Sequence, residues 1–152
     1  MITRRSLGTQ NAASLNKVFI DADVILDFLI VRKPFVMDTA RLFSLSEKKK
    51  ITLCTTGLVF SNAYYILRKL GPHKKVIEKL NQLSKFVDII GLSKDAVKNA
   101  LESEFSDFED ALQHYAALSE NATVIVTRNI KDYKHSELAV LTPDQYLKSL
   151  KA

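Results

Sequence analysis

The stretch "KVFIDADVILDFL", Lys17 to Leu29, decides the fold. Its first four residues, "KVFI", read as a short buried strand that ends at Asp21. Asp21, Asp23 and Asp27 then interrupt an otherwise apolar run. An unpaired charge in such a setting costs several kcal/mol, or its pKa shifts until it is neutral. Acids placed directly after a buried strand therefore need a physical reason. Asp27, further along, reads as a surface or capping residue of the segment leaving the strand.

Outward from this stretch, strands and helices alternate. Pro34 opens a helical pattern, with Phe35, Thr39, Leu42, Phe43 and Ser46 at helical spacing. "ITLC" (51–54) is a second strand, and "GLVFSNAYYILRKL" a helix stopped by Gly71-Pro72. A further helix is expected over about 73–84 and a strand over 86–92. Ser93 caps the following helix. Ser106 caps the next one, in a capping box with Glu109. "TVIVT" (123–127) is a strong strand, "ELAVL" (137–141) a weak one, and Thr142-Pro143 starts a last helix. The alternation predicts a three-layer α/β/α fold with a mainly parallel central sheet. In such sheets ligands bind beyond the carboxyl ends of the strands.

Bulk properties set the frame. The chain has 152 residues and a formal net charge of +5. Its pI is about 9.3, compatible with a nucleic-acid partner but equally with simple solubility. No apolar run approaches the roughly 18 residues of a membrane span, so no membrane partner is expected. Residues 1–16 are basic and polar, without the apolar centre of a secretory signal. They read as a disordered or non-native arm, leaving 17–150 as one domain. The single cysteine, Cys54, is expected as a buried strand thiol, and the expected compartment is cytoplasmic.

The residues at the strand ends carry the chemistry. Asp21 and Asp23 follow the first strand, Thr55 and Thr56 the second, Arg128 and Asn129 the strand at 123–127. The helix near 106 carries Asp107, Glu109 and Asp110 in its first turns. Asp107 and Asp110 share one face, and packing that helix on the sheet brings Asp110 toward Asp21. Two carboxylates about 4 Å apart repel by roughly 4 kcal/mol at an effective dielectric near 20. Such a cluster holds protons or a cation, and hard oxygen donors suit Mg²⁺ or Mn²⁺. Simpler readings stand beside this one. Glu109 suits a helix cap, and Asp107 fits either role. His114 reads as a packing or helix-surface residue, and Tyr64 and Tyr65 as core or groove residues.

The order of these pieces resembles the PIN domain, the nuclease fold of VapC-type toxin–antitoxin ribonucleases. "DADVILD" stands where that family carries a D-T-N-[VI]-[LI]-[LI]-D-like motif. Asp21 matches its first acid, and Asp23 replaces the usual Asn. "DFEDALQHYAAL" resembles the helix that opens with the third acid, and Asp110 is the better match. "VIVTRNIKDY" (124–133) resembles the closing T-[RN]-[DN] segment. Two departures matter, since the second and fourth acids appear as Asn62 and Asn129. A bacterial subgroup is similar in combining F-[SA]-N-x-Y-Y with D-F-E-D-A-L.

The resemblance implies a metal-dependent nuclease acting on RNA, with DNA left open, as the toxin of a toxin–antitoxin pair. It implies Mg²⁺ or Mn²⁺ held by Asp21 and Asp110, with help from Asp23 or Asp107 and with Asp132 as a further donor. Asn62 and Asn129 would orient waters or the phosphate. Arg128, Thr127 and Lys131 would meet the nucleic acid. An antitoxin partner and a homodimer are expected on the same ground. The Asn positions motivate one alternative, a weakened PIN fold that binds RNA or protein without cutting. "VFIDADVIL" with Thr55-Thr56 motivates another, a haloacid-dehalogenase-type phosphatase with Asp21 as nucleophile.

Overall fold

A computed structural model describes residues 17–151, so the expectation for residues 1–16 lies outside the described residues. Five parallel strands form one sheet: β1 (Lys17–Ile20), β2 (Thr52–Thr56), β3 (Val87–Ile90), β4 (Val124–Val126) and β5 (Ala139–Leu141). Their order is β3-β2-β1-β4-β5, with Val18 of β1 registered against Leu53 of β2 and Val124 of β4. Among the described residues seven helices surround it: α1 (Ala22–Leu29), α2 (Val36–Glu47), α3 (Gly57–Leu67), α4 (His73–Leu83), α5 (Lys94–Glu102), α6 (Phe108–Ser119) and α7 (Pro143–Ser149), with α5 packed on α6. A 3₁₀ turn (Ile130–Tyr133) links β4 to β5. Among the described residues no helix is long and apolar enough to cross a membrane.

Strand alternation divides the core. Val18, Ile20, Leu53, Val124 and Val126 face one apolar layer, shared with Leu42 and Phe43 of α2, Val59 and Ala63 of α3, and Val76 of α4. Phe19, Cys54 and Ile125 face the other, shared with Ala116 and Ala117 of α6 and with Tyr133. The layers follow from crossover handedness. The chain steps from β1 to β2 to β3 in one direction, then jumps back past β1 to β4. Right-handed crossovers place connections on opposite faces when that direction reverses. The reversal falls between β1 and β4, which makes the carboxyl ends of these two strands the ligand crevice of the sheet. Cys54 is the expected buried strand thiol, its pKa pushed up to about 12 by burial.

Several local expectations need correction, among them Thr55 and Thr56, which close β2 rather than follow it. The segment after Asp21 is a helix, α1, in which Val24, Ile25, Leu26, Asp27 and Leu29 are buried. So short an apolar run, directly after a strand, cannot be told from a strand by its pattern alone. The next helix starts at Val36 rather than Pro34, and β3 covers only 87–90. The cap of α6 is Asp107 rather than Ser106, with Asp107 Oδ1 accepting from the Asp110 amide at 3.0 Å. Glu109 is therefore not the partner in a capping box. Other caps form as expected. Ser93 accepts from Ala96 N, and Thr142 with Gln145 makes a full capping box.

Candidate active site

Asp21 sits at the crevice because β1 ends there and α1 begins. Its amide donates to Val126 O at 3.1 Å, which extends the β1–β4 ladder by one bond. As N-cap of α1, Asp21 Oδ1 accepts from Ala22 N at 2.7 Å. The same oxygen accepts from Gln113 Nε2 at 3.4 Å. Asp21 Oδ2 accepts from the hydroxyls of Thr127 and Tyr133, both at 3.1 Å. Asp21 is 9% exposed, while Gln113, Thr127 and Tyr133 are fully enclosed or within 1% of it. Burial raises the Asp21 pKa, although each of these donors pulls it down.

Asp23 lies one residue into α1 and is tied to the turn after β4. Asp23 Oδ2 accepts from Arg128 N and Asn129 Nδ2, both at 3.0 Å, and from Thr127 Oγ1 at 3.3 Å. Burial and the neighbouring Asp21 charge push its pKa up to about 6. Asp23 Oδ1 is buried and accepts no well-formed hydrogen bond, the Val24 amide being a weak neighbour of this carboxylate. Asp110, in the first turn of α6, is pushed up to about 7 by burial and then by Asp21, Asp107, Asp132 and Glu109. Asp23 and Asp110 therefore each repel Asp21 at the carboxyl end of β1.

Arg128 joins the two ends of α1. Its backbone amide holds Asp23, while its guanidinium grips Asp27 with two bonds, Nε to Oδ2 at 2.7 Å and NH2 to Oδ1 at 3.1 Å. Arg32 adds a second ion pair to Asp27 at 3.1 Å. The Arg128 guanidinium also lies 4.0 Å above the Phe35 ring. Asp27 has no exposed surface, so its reading as a surface or capping residue is corrected. Asp23 and Asp27 are four apart and share one helix face, which lets one arginine reach both.

Other expected residues fall in different places. Thr127, expected at the nucleic acid, has no exposed surface, and its hydroxyl serves the carboxylates. The bonding edge of Arg128 is committed to Asp27, whereas Lys131 is exposed on the 3₁₀ turn. Asn62 Nδ2 donates to Glu109 Oε1 at 2.8 Å, joining α3 to α6 away from the Asp21 hydrogen bonds. Asp107 and Asp132 are exposed. His114 is a packing residue, as read, with Nε2 accepting from Glu137 N at 3.0 Å. Thr55 donates to Ile20 O at 2.8 Å and Thr56 caps α3, so both threonines of the phosphatase alternative are occupied by the fold. Gln113 and Tyr133 were not expected at the site. Gln113 lies three residues after Asp110, and that helical spacing was the available signal.

Among the described residues no three His, Cys, Asp or Glu side chains close into a ready-made metal cluster. The donor set nevertheless fits a hard divalent cation. It consists of oxygens, its carboxylates repel, and Asp23 Oδ1 is a buried acceptor without a well-formed hydrogen bond.

The sequence model of the PIN domain matches residues 17–131, from β1 through the turn after β4. This chain belongs to the PIN domain family. No curated protein matches it. Solved PIN-fold structures superpose well at low identity. The VapBC2 complex from Rickettsia felis, bound to a DNA fragment from its promoter, gives a TM-score of 0.64 at 20% identity, covering 82% of this chain and 96% of that one. VapBC-1 from nontypeable Haemophilus influenzae gives 0.63 at 13% identity, covering 84% and 98%. VapC20 of Mycobacterium tuberculosis, described as a sarcin–ricin loop cleaving toxin, gives 0.55 at 16% identity, covering 71% and 86%. At these identities the likeness concerns the fold, a PIN sheet flanked by helices.

Proposed function

We propose that this PIN domain is a divalent-metal-dependent nuclease acting on RNA. One observation carries the reading: Asp21 is buried at the carboxyl end of β1, aimed by four donors, with Asp23 and Asp110 electrostatically coupled to it. A purely structural role does not account for two acids that each repel a buried third at the switch point of a parallel sheet. Asp21, Asp23 and Asp110 would hold Mg²⁺ or Mn²⁺, with Asp107 further out. A cation bound there supplies charge stabilisation at the phosphodiester and a more acidic water. The chain's own residues do the rest. Thr127 and Tyr133 fix the Asp21 carboxylate, Asn129 and the Arg128 amide fix Asp23, and exposed Lys131 faces solvent where a phosphate can approach.

Family membership and the toxin–antitoxin proteins among the structural neighbours support a toxin role with an antitoxin partner. A homodimer belongs to the same reading. The substrate proposal favours RNA on the neighbour described as a sarcin–ricin loop cleaving toxin. Calorimetric titration of Mn²⁺, followed by cleavage assays on structured and single-stranded RNA, tests it. Wild type should bind and cleave, and Asp21→Asn and Asp110→Asn should lose both. A second reading, a PIN module that binds without cutting, is favoured by the open acid cluster and by Asn62 being spent on Glu109. Wild-type protein that binds RNA but shows no Mn²⁺ response would put that reading first.

A further inference from the structure

Four buried side-chain atoms lack a hydrogen-bond partner among the described residues: Asp23 Oδ1, Gln113 Oε1, His114 Nδ1 and Tyr146 OH. Two of them can donate. His114 Nε2 accepts from Glu137 N, which leaves the proton on Nδ1, and Tyr146 carries a hydroxyl. The other two are pure acceptors, and both belong to residues that touch the Asp21 network. Gln113 is 1% exposed, and an enclosed carbonyl oxygen without a donor is costly to leave so.

The amide cannot relieve this by turning over. Gln113 Nε2 faces Asp21 Oδ1 at 3.4 Å, and the flipped amide would set a carbonyl oxygen against a carboxylate oxygen. Covalent geometry then keeps Gln113 Oε1 within about 6 Å of Asp21 Oδ1. Asp110 lies one turn earlier on the same helix, and the free Asp23 oxygen belongs to a carboxylate that shares the Thr127 hydroxyl with Asp21. The hydrogen bonds around Asp21 therefore leave over only acceptors. A plain water or a proton on Asp23 can satisfy such acceptors, but beside carboxylates that repel one another a cation, with the water it holds, satisfies the acceptors and offsets the charge together.

We propose that Gln113 is a further residue of the cation site, its amide nitrogen aiming Asp21 and its carbonyl oxygen serving as a neutral donor toward Mg²⁺ or Mn²⁺. This rests on the metal-dependent reading above. It also offers one oxygen where Asn62, bonded to Glu109, offers no acid.

The test is Mn²⁺ calorimetry on the full chain, paired with thermal unfolding with and without Mn²⁺. Gln113→Met keeps the volume and removes both polar atoms. It should weaken Mn²⁺ binding about tenfold and shrink the metal-induced rise in Tm. Gln113→Glu keeps an oxygen but sets another against Asp21 Oδ1, so at pH 8 its metal-free Tm should fall and its Mn²⁺-induced rise in Tm should exceed that of wild type. A Gln113→Met protein with lowered metal-free Tm but unchanged Mn²⁺ affinity overturns the proposal and leaves the metal site standing. Should Gln113→Met not fold, Gln113→Glu decides alone, and a Mn²⁺-induced rise in Tm no larger than that of wild type overturns the inference. Wild type that binds no Mn²⁺, or binding that survives Asp21→Asn, overturns the metal reading and this inference with it.

Discussion

Asp21 accepts four hydrogen bonds, and none of their donors carries a charge that could neutralise it. That arrangement aims a carboxylate without stabilising it fully, and burial still raises its pKa. Asp21→Asn should therefore be tolerated by the fold. The retained oxygen can accept from Ala22 and Gln113, and the hydroxyls of Thr127 and Tyr133 can rotate to accept from the new NH₂. We expect a metal-free Tm at pH 8 equal to or above wild type, with Mn²⁺ binding lost; a large fall in Tm would show that the charge holds the fold. Asp110 gives a pH prediction. Its ordinary pKa is 3.8 and its folded value about 7, so between these values the folded state binds more protons than the unfolded chain. Its contribution is fully present below about pH 4 and is lost as pH rises through 7. Asp23, at about 6, acts in the same direction. In chelator, stability should fall by about 1 kcal/mol from pH 5.5 to 8 on account of Asp110, a modest value because the group is only half-buried. Denaturant titrations at the two pH values should show this slope in wild type and a flatter one in Asp110→Asn.

At the scale of elements, α1 is held to the turn after β4 by the Asp27–Arg128 pair, and that pair also sets where Asp23 meets the Arg128 and Asn129 donors. Removing one partner of a buried pair costs roughly 3–5 kcal/mol. Arg32 still faces Asp27, so Arg128→Leu should fall at the low end, about 3 kcal/mol in urea unfolding, and should weaken Mn²⁺ binding as Asp23 loses its frame. Arg32→Leu should cost less, because Arg128 keeps its two bonds to Asp27. Equal costs would contradict this ranking. The same pair shows where reading a sequence stops. The alternation of apolar runs with capped helices makes the parallel sheet legible, and acids after a strand make Asp21 legible. Asp27 was not legible as a buried ion, because Arg128, which holds both of its oxygens, lies 101 residues away, and the nearby Arg32 falls past the end of α1. Gln113 and Tyr133, 92 and 112 residues from Asp21, were hidden in the same way. The helix α1 was missed for a different reason. Its eight residues span only about two turns directly after a strand, too short a run to be told from a strand by pattern alone.

At the scale of the molecule, the strand order β3-β2-β1-β4-β5 places its reversal between β1 and β4. The acids of α1 and α6 converge there, and their repulsion is the cost the metal-free fold carries for the site. Such a site predicts linkage between metal and global stability. A cation that binds only the folded chain stabilises it by about 2.7 kcal/mol at a hundredfold excess over Kd. For a domain of this size that corresponds to a rise in Tm of roughly 8–12 °C. Protons compete for the same carboxylates, two of which titrate at about 6 and about 7, so the rise should be larger at pH 8 than at pH 6. Scanning calorimetry with Mn²⁺ and with chelator at both pH values measures all four terms. The double variant Asp21→Asn/Asp110→Asn should show no metal-induced rise at either pH. A rise of equal size in wild type and in that variant would mean that the ion binds elsewhere, and the convergence at β1 and β4 would then need another explanation.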